Sequence, residues 1–224
     1  MAIKENLLRI RENIEKTCLL CGRDPREVKL LAVSKTFPIS SILEAYEAGQ
    51  RDFGESRVQE FVPKYQQLPD LSWHFIGHIQ KNKLNKLLDT EVFIHSVDSL
   101  ELAEKISEKA LERQKVVKVL LQVNIDDDPS KFGFTSEGLL QNIEKILQLK
   151  GIAPTGLMTI GALHKDPKET RASFAKLRGL RDALSEVTKH EFPELSMGMS
   201  GDYHEAILEG ATIVRVGTGV FGQR

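Results

Sequence analysis

"VKLLAVSKTFPISSILEAYEAG" (residues 28–49) reads as one strand followed by one helix. Residues 28–34 form a short apolar run that ends before Pro38, the signature of a buried strand. The stretch "ISSILEAYEAG" begins after that proline and stops on Gly49, as a helix does. The same unit recurs along the chain. Further strands are expected at 51–55, 72–77, 91–97, 115–125, 154–160, 195–199 and 212–217. Between them "SLELAEKISEKALERQ" carries Leu102, Ile106 and Leu111 near helical spacing. "SEGLLQNIEKILQLKG" repeats Leu139, Ile143, Ile146 and Leu149 and stops at Gly151. "DPKETRASFAKLRGLRDALSEV" is the longest helical pattern.

Strand and helix in strict alternation imply a parallel sheet with helical crossovers. Eight such units suit a closed (β/α)₈ TIM-type barrel, an α/β fold that typically takes ~250 residues and tolerates ~200. An amphipathic helix, "MAIKENLLRIRENIEK", precedes the first strand as an addition to the barrel. The rival is an open doubly wound sheet, but no G-x-G-x-x-G follows the first strand. No linker or low-complexity tract divides the chain, so residues 1–224 are expected to form one domain.

Charged residues make up 28% of the chain and the formal net charge is −1, which gives no electrostatic case for nucleic acid as a partner. The N-terminus is too charged for a signal peptide, and no apolar run reaches the roughly 20 residues of a membrane span. A cytoplasmic, monomeric protein is expected. Cys18 and Cys21 form a lone C-x-x-C at the end of a helical pattern. Without a second cysteine or histidine pair it reads as two packed thiols and not as a metal site.

In a barrel of this kind the site lies at the C-terminal ends of the strands. The residues there are Lys35, Glu55 and Ser56, Gly77 and His78, His95 and Ser96, Asn124, Met158 and Thr159, Ser200, Arg215, Gly217 and Thr218. Lys35 is notable because an isolated ammonium at the mouth of a buried strand is costly to desolvate. Two Gly-rich turns follow the last two strands, at Ser200-Gly201 and Gly217-Thr218. Asp202 and Glu205 have capping-box spacing behind the first of these. Phosphate sites in such barrels often form there, on free backbone N–H groups. A lysine beside a phosphate site suggests a phosphorylated aldehyde or ketone held as a Schiff base. That chemistry needs a lysine less basic than its ordinary pKa of about 10.4.

The motifs "LLAVSKTFP", "FGESRVQE", "WHFIGHIQKNK", "HSVD", "GLMTI", "LSMGMSGDYHEAI" and "GATIVRVGTGVFGQR" run in order over nearly the whole chain. In them the chain resembles the pyridoxal 5'-phosphate (PLP) homeostasis proteins, a family related to the N-terminal barrel of alanine racemase. The resemblance implies PLP bound as an internal aldimine to Lys35. It implies phosphate held by Ser200 and by the backbone of Gly217 and Thr218, with Arg215 near the pyridine ring. Ser56 stands where the family usually has Asn near the cofactor, and His78 and Met158 match rim positions. The family carries and buffers PLP, with PLP-dependent apo-enzymes as possible recipients, and no catalytic residue is assigned. Alanine racemase draws a tyrosine base from a second domain, and this chain is expected to lack one because it ends at Arg224, just after the last strand. The competing readings are a low-activity PLP-dependent amino-acid racemase and a Schiff-base aldolase acting on a phosphosugar. Lys131, in "DDDPSKFGF" after the fifth strand, is a candidate for a second, transient PLP contact.

Overall fold

The computed structural model describes residues 2–161 and 166–223. The strands are β1 (Lys29–Val33), β2 (Asp52–Glu55), β3 (Ser72–Phe75), β4 (Phe93–Val97), β5 (Val117–Gln122), β6 (Ile152–Met158), β7 (Glu194–Ser196) and β8 (Ile213–Val216). They pair in sequence order, all parallel, and β8 returns to β1 to close the barrel. The closing register sets Leu31 opposite Arg215 and Ala32 opposite Val216. All eight expected strands are present, and the open-sheet rival is excluded by the closure.

Helix α1 (Ile3–Leu20) precedes the barrel. It buries Ile3, Leu7, Ile10, Ile14 and Cys18, a stripe at helical spacing. Helices α2 (Ile39–Glu47), α3 (Val58–Gln67), α4 (Leu84–Leu88), α5 (Leu100–Leu111), α6 (Ser136–Leu147), α7 (Pro167–Thr188) and α8 (Tyr203–Leu208) follow their strands in turn. The short α9 (Thr218–Phe221) closes the last turn, where the sequence suggested only a Gly-Thr-Gly loop. Cys18 is buried on the inner face of α1, and the Cys21 thiol donates to the Thr17 carbonyl at 3.3 Å.

Alternation along the strands divides the core into two parts. Leu31, Phe93, Leu120, Met158 and Ile213 point into the barrel and pack on one another. Their neighbours Leu30, Ala32, Ile94, Leu121, Leu157 and Val214 point outward and pack with the helices. Most strands are a residue or two shorter than the apolar runs that signal them. β5 is cut back further, to Val117–Gln122 from an expected 115–125, and β6 keeps its length but starts at Ile152, ahead of Pro154. The β5–β6 register slips between Val119–Pro154 and Leu120–Gly156, where proline has no N–H for the ladder. After β7 the chain turns sharply at Gly198, whose φ of +88° only glycine adopts freely. A Cβ there would lie 2.5 Å from that of Ala206 on α8.

Candidate functional site

Two cavities of about 380 and about 550 Å³ open side by side at the C-terminal ends of the strands. They share Lys35, Ile76, Met199 and Arg215, and so form one mouth. Ser56, His78 and Lys131 line one side, and Ser200, Gly217 and Thr218 line the other. Among the described residues, no carboxylate lines either cavity. Three cations, Lys35, Arg215 and Lys131, thus line a space with no acidic residue among the described residues of its wall, which suits an anion; Asp128 lies behind Lys131 at 3.7 Å.

Lys35 lies two residues beyond β1, half-buried, and its ammonium makes no hydrogen bond or ion pair with a described residue. The backbone on both sides of it is held. Lys64 of α3 donates to the Ser34 carbonyl at 2.9 Å and to Glu55 at 2.6 Å. The Ser34 hydroxyl donates to the same Glu55 oxygen at 2.8 Å. On the other side, Glu60 of α3 accepts the Thr36 N–H at 2.7 Å. Thr36 has φ +68°, a left-handed conformation rare for a β-branched residue. Such a residue costs on the order of 1–3 kcal/mol and persists only where its surroundings enforce it. Glu60 supplies that enforcement. Glu55 is fully buried, and burial pushes its carboxyl up against the pull of Lys64 and Ser34.

The Ser200 and Thr218 hydroxyls approach to 3.3 Å at the other side of the mouth. The backbone N–H groups of Ser200 and Gly201 donate to no described residue, and those of Thr218 and Gly219 open α9 without an intrahelical acceptor. The expected capping box is not formed. Asp202 turns its carboxylate back onto the Met199 N–H, at 2.5 Å, and makes no cap bond to α8. This carboxylate fixes the turn, and the Ser200 and Gly201 N–H groups are left without a described acceptor beside the cavity that Ser200 lines.

Arg215 enters from β8 and is almost wholly buried. Its guanidinium donates to Ser196 Oγ and to the Thr159 carbonyl, both at 2.8 Å. Burial draws it down to about 10, with Asp202 opposing, so it remains charged at neutral pH. Alternation puts Ile213 and Arg215 inward and Val216 outward.

The remaining expected residues divide. Ser56 lines the mouth. His78 does too, with Nδ1 3.0 Å from Asp98 and its ring stacked on Phe132, centroids 3.9 Å apart. Lys131 lines it beside Phe132, its ammonium donating to the Ile160 carbonyl at 3.3 Å. Met158 does not belong to the rim. It is fully buried in the inner barrel cluster and lines neither cavity. Its side chain points inward one layer too deep, below Ile160. His95 is likewise inside the barrel and Glu55 is beneath α3, so neither is a rim residue.

The model of the alanine racemase N-terminal domain family matches residues 5–224. The pyridoxal phosphate homeostasis protein of Aquifex aeolicus is 45% identical over 98% of this chain and 97% of that protein. The chain belongs to the pyridoxal phosphate homeostasis protein family. The Escherichia coli K12 member is 37% identical over 99% of this chain and 97% of its own. Among solved structures, PipY of Synechococcus elongatus with PLP bound is 40% identical, with a TM-score of 0.82 over 94% of this chain and all of that one. Alanine racemase of Clostridium difficile 630 matches with a TM-score of 0.79 at 18% identity, a likeness of fold, and this chain spans 57% of its length.

In this member of the family, the supports of Lys35 escaped sequence reading. Lys64 and Glu60 sit four residues apart on a helix whose start carries no N-cap side-chain bond and whose interior holds Pro63. A buried lysine flanked by apolar neighbours on an amphipathic helix is the one signal that could have found them.

Proposed function

We propose that the protein is a non-catalytic carrier of PLP in the cytoplasm, working as a monomer in vitamin B6 and amino-acid homeostasis and handing PLP to apo-enzymes. The observation that carries this reading is the acid-free mouth in which Lys35, Arg215 and the Ser200–Thr218 hydroxyl pair face one another. The donor set fits the cofactor: an amine for its aldehyde, hydroxyl and N–H donors for its phosphate, and a guanidinium for its ring nitrogen. PLP supplies an aldehyde carbon that an uncharged amine captures reversibly. The PLP-bound PipY, at 40% identity, supports the reading.

Each residue then has a role. Lys35 takes the aldehyde, held in place by Ser34 and Thr36 on either side. Ser200, the Thr218 hydroxyl and the backbone of Gly217 and Thr218 hold the phosphate. Arg215 stays protonated and can only donate, so it keeps the ring nitrogen as an unprotonated acceptor. A nitrogen held this way draws electrons poorly, which disfavours racemase, transaminase and decarboxylase turnover. His78 and Phe132 cover the outer edge of the mouth. Lys131 offers a second amine there for cofactor in transit. The reading is tested by adding PLP to the purified protein, then L- or D-alanine. A visible absorbance band without racemised product is expected. Turnover near the ~10 s⁻¹ typical of enzymes contradicts the non-catalytic role. A phosphosugar cleaved in the absence of PLP favours the aldolase instead.

A further inference from the structure

A row of polar side chains runs through the interior of the barrel beside the apolar cluster. From Arg215 Nη1 it is 2.8 Å to Ser196 Oγ. From Ser196 Oγ it is 3.0 Å to His95 Nδ1. His95 Nε2 lies 2.9 Å from His74 Nδ1, and His74 Nε2 lies 3.0 Å from Asp52 Oδ1. Ser196, His95 and His74 are each at most 1% exposed. The row begins at the mouth, where Arg215 lines both cavities, and ends at Asp52. Asp52 lines a separate cleft of about 430 Å³ at the N-terminal ends of β1 and β2.

The two ends dictate the protons between them. A guanidinium has donors and no acceptor, and an ionised carboxylate has acceptors and no donor. Ser196 must therefore accept from Arg215 and pass its own proton to His95 Nδ1. His95 then donates from Nε2 to His74 Nδ1, and His74 donates from Nε2 to Asp52. This is the one arrangement of neutral rings that satisfies every contact. Reversing it aims a bare nitrogen of His74 at a carboxylate. Asp52 is kept ionised: burial pushes it up, but His74, Lys29 at 3.6 Å and the Ser72 hydroxyl at 2.9 Å together hold it low.

We propose that Ser196, His95, His74 and Asp52 form a one-way hydrogen-bond chain that keeps Arg215 aimed into the mouth, so that His95 and His74 are positioning residues for the cofactor site at a distance. The physical need is plain. Arg215 is buried with no described carboxylate in hydrogen-bond contact, Asp202 acting on it only at a distance, and a buried charge without a direct partner is costly. The aligned dipoles present lone pairs to the guanidinium at one end and protons to Asp52 at the other. The chain thus links the arginine to a counter-charge across the barrel, as hydrogen-bond networks in a low dielectric can. The charged groups acting on the rings are Lys29, Lys118 and Asp52 for His74, and Arg215, Lys118 and Lys29 for His95. Burial together with these cations disfavours a further proton on either ring, and Asp52 opposes this only at His74.

The link from the chain to PLP rests on the proposed function, and the test separates the two. In the apoprotein with ¹⁵N-labelled histidine, long-range ¹H–¹⁵N spectra should show His74 and His95 as neutral Nε2–H tautomers from pH 8 down to pH 6. A doubly protonated ring at pH 6, or an Nδ1–H tautomer at His95, overturns the chain. Next, Ser196→Ala and His95→Asn are titrated with PLP, and the absorbance of the complex is followed from pH 6 to 9. Ser196→Ala should lose about tenfold in PLP affinity and shift the pH midpoint of the absorbance. Asn at 95 keeps an acceptor for the Ser196 proton, so His95→Asn should bind PLP more tightly than Ser196→Ala and have a midpoint closer to wild type. A Ser196→Ala protein with wild-type affinity and midpoint removes the positioning role. Wild-type protein with the expected tautomers but no PLP binding defeats the proposed function and leaves the chain standing. PLP bound over the other tautomers does the opposite.

Discussion

Lys35 and Arg215 share one cavity with no acidic residue among the described residues of its wall, and much of the chemistry follows from that. The affinity for PLP should reside largely in its phosphate, because hydrogen bonds to a charged group contribute about 1.5–3 kcal/mol each. Losing two such bonds corresponds to at least about 100-fold in affinity. Pyridoxal, titrated in parallel by absorbance, is therefore expected to bind at least about 100-fold more weakly than PLP. Equal affinities would remove the phosphate site from Ser200 and Thr218. At this scale the sequence was informative where a polar residue ends an apolar run, as at Lys35 and Arg215. It was not informative about depth. Alternation tells that Met158 and His95 point inward, but not that they stop below the mouth, one in the apolar inner cluster and one in the polar chain.

Helix α3 is the element on which the lysine depends. It delivers Lys64 to Ser34 and Glu55, and Glu60 to Thr36. Removing one partner of a buried ion pair leaves the other charge uncompensated, at a cost of about 3–5 kcal/mol. Lys64→Met should lower the unfolding free energy by about that much in urea titration. Replacing Glu55 with Met as well should return about half the loss or more, since an apolar pair of similar volume is close to neutral. A single variant as stable as the wild type would show that the pair supports nothing. Glu60→Gln tests the other contact: a neutral amide oxygen is a weaker acceptor for the Thr36 N–H, so PLP capture should slow while the fold persists. This element was hardly legible. Pro63 interrupts its pattern, and the buried pairing of Lys64 with Glu55 depends on β2 lying beneath the helix, which spacing along the chain does not reveal.

The whole barrel was legible because each βα unit repeats its own signals, and eight repeats leave few topologies. What the repeats conceal is the polar interior: His74 looks like an ordinary strand residue and His95 like a rim residue until β3, β4 and β7 are brought together. That interior sets a pH dependence. Burial lowers the pKa of both rings below the usual 6.5, so the unfolded chain takes up protons first as the pH falls. Their contribution is fully present above about pH 6.5 and is lost as pH falls below it, with a slope of up to about 1.4 kcal/mol per pH unit for each ring. Thermal unfolding of the apoprotein should show a lower Tm at pH 5.5 than at pH 7.5. The same Tm at both values would mean that the rings already carry protons in the fold.

The central claim is that this molecule holds PLP covalently through Lys35 at the mouth of the barrel. The direct measurement is to incubate the protein with PLP, reduce with borohydride, and map the labelled peptide by mass spectrometry. One phosphopyridoxyl group is expected on Lys35, with the visible band and the label both absent in Lys35→Ala. A label carried mainly by another lysine, Lys131 included, or an undiminished band in Lys35→Ala, would contradict the account.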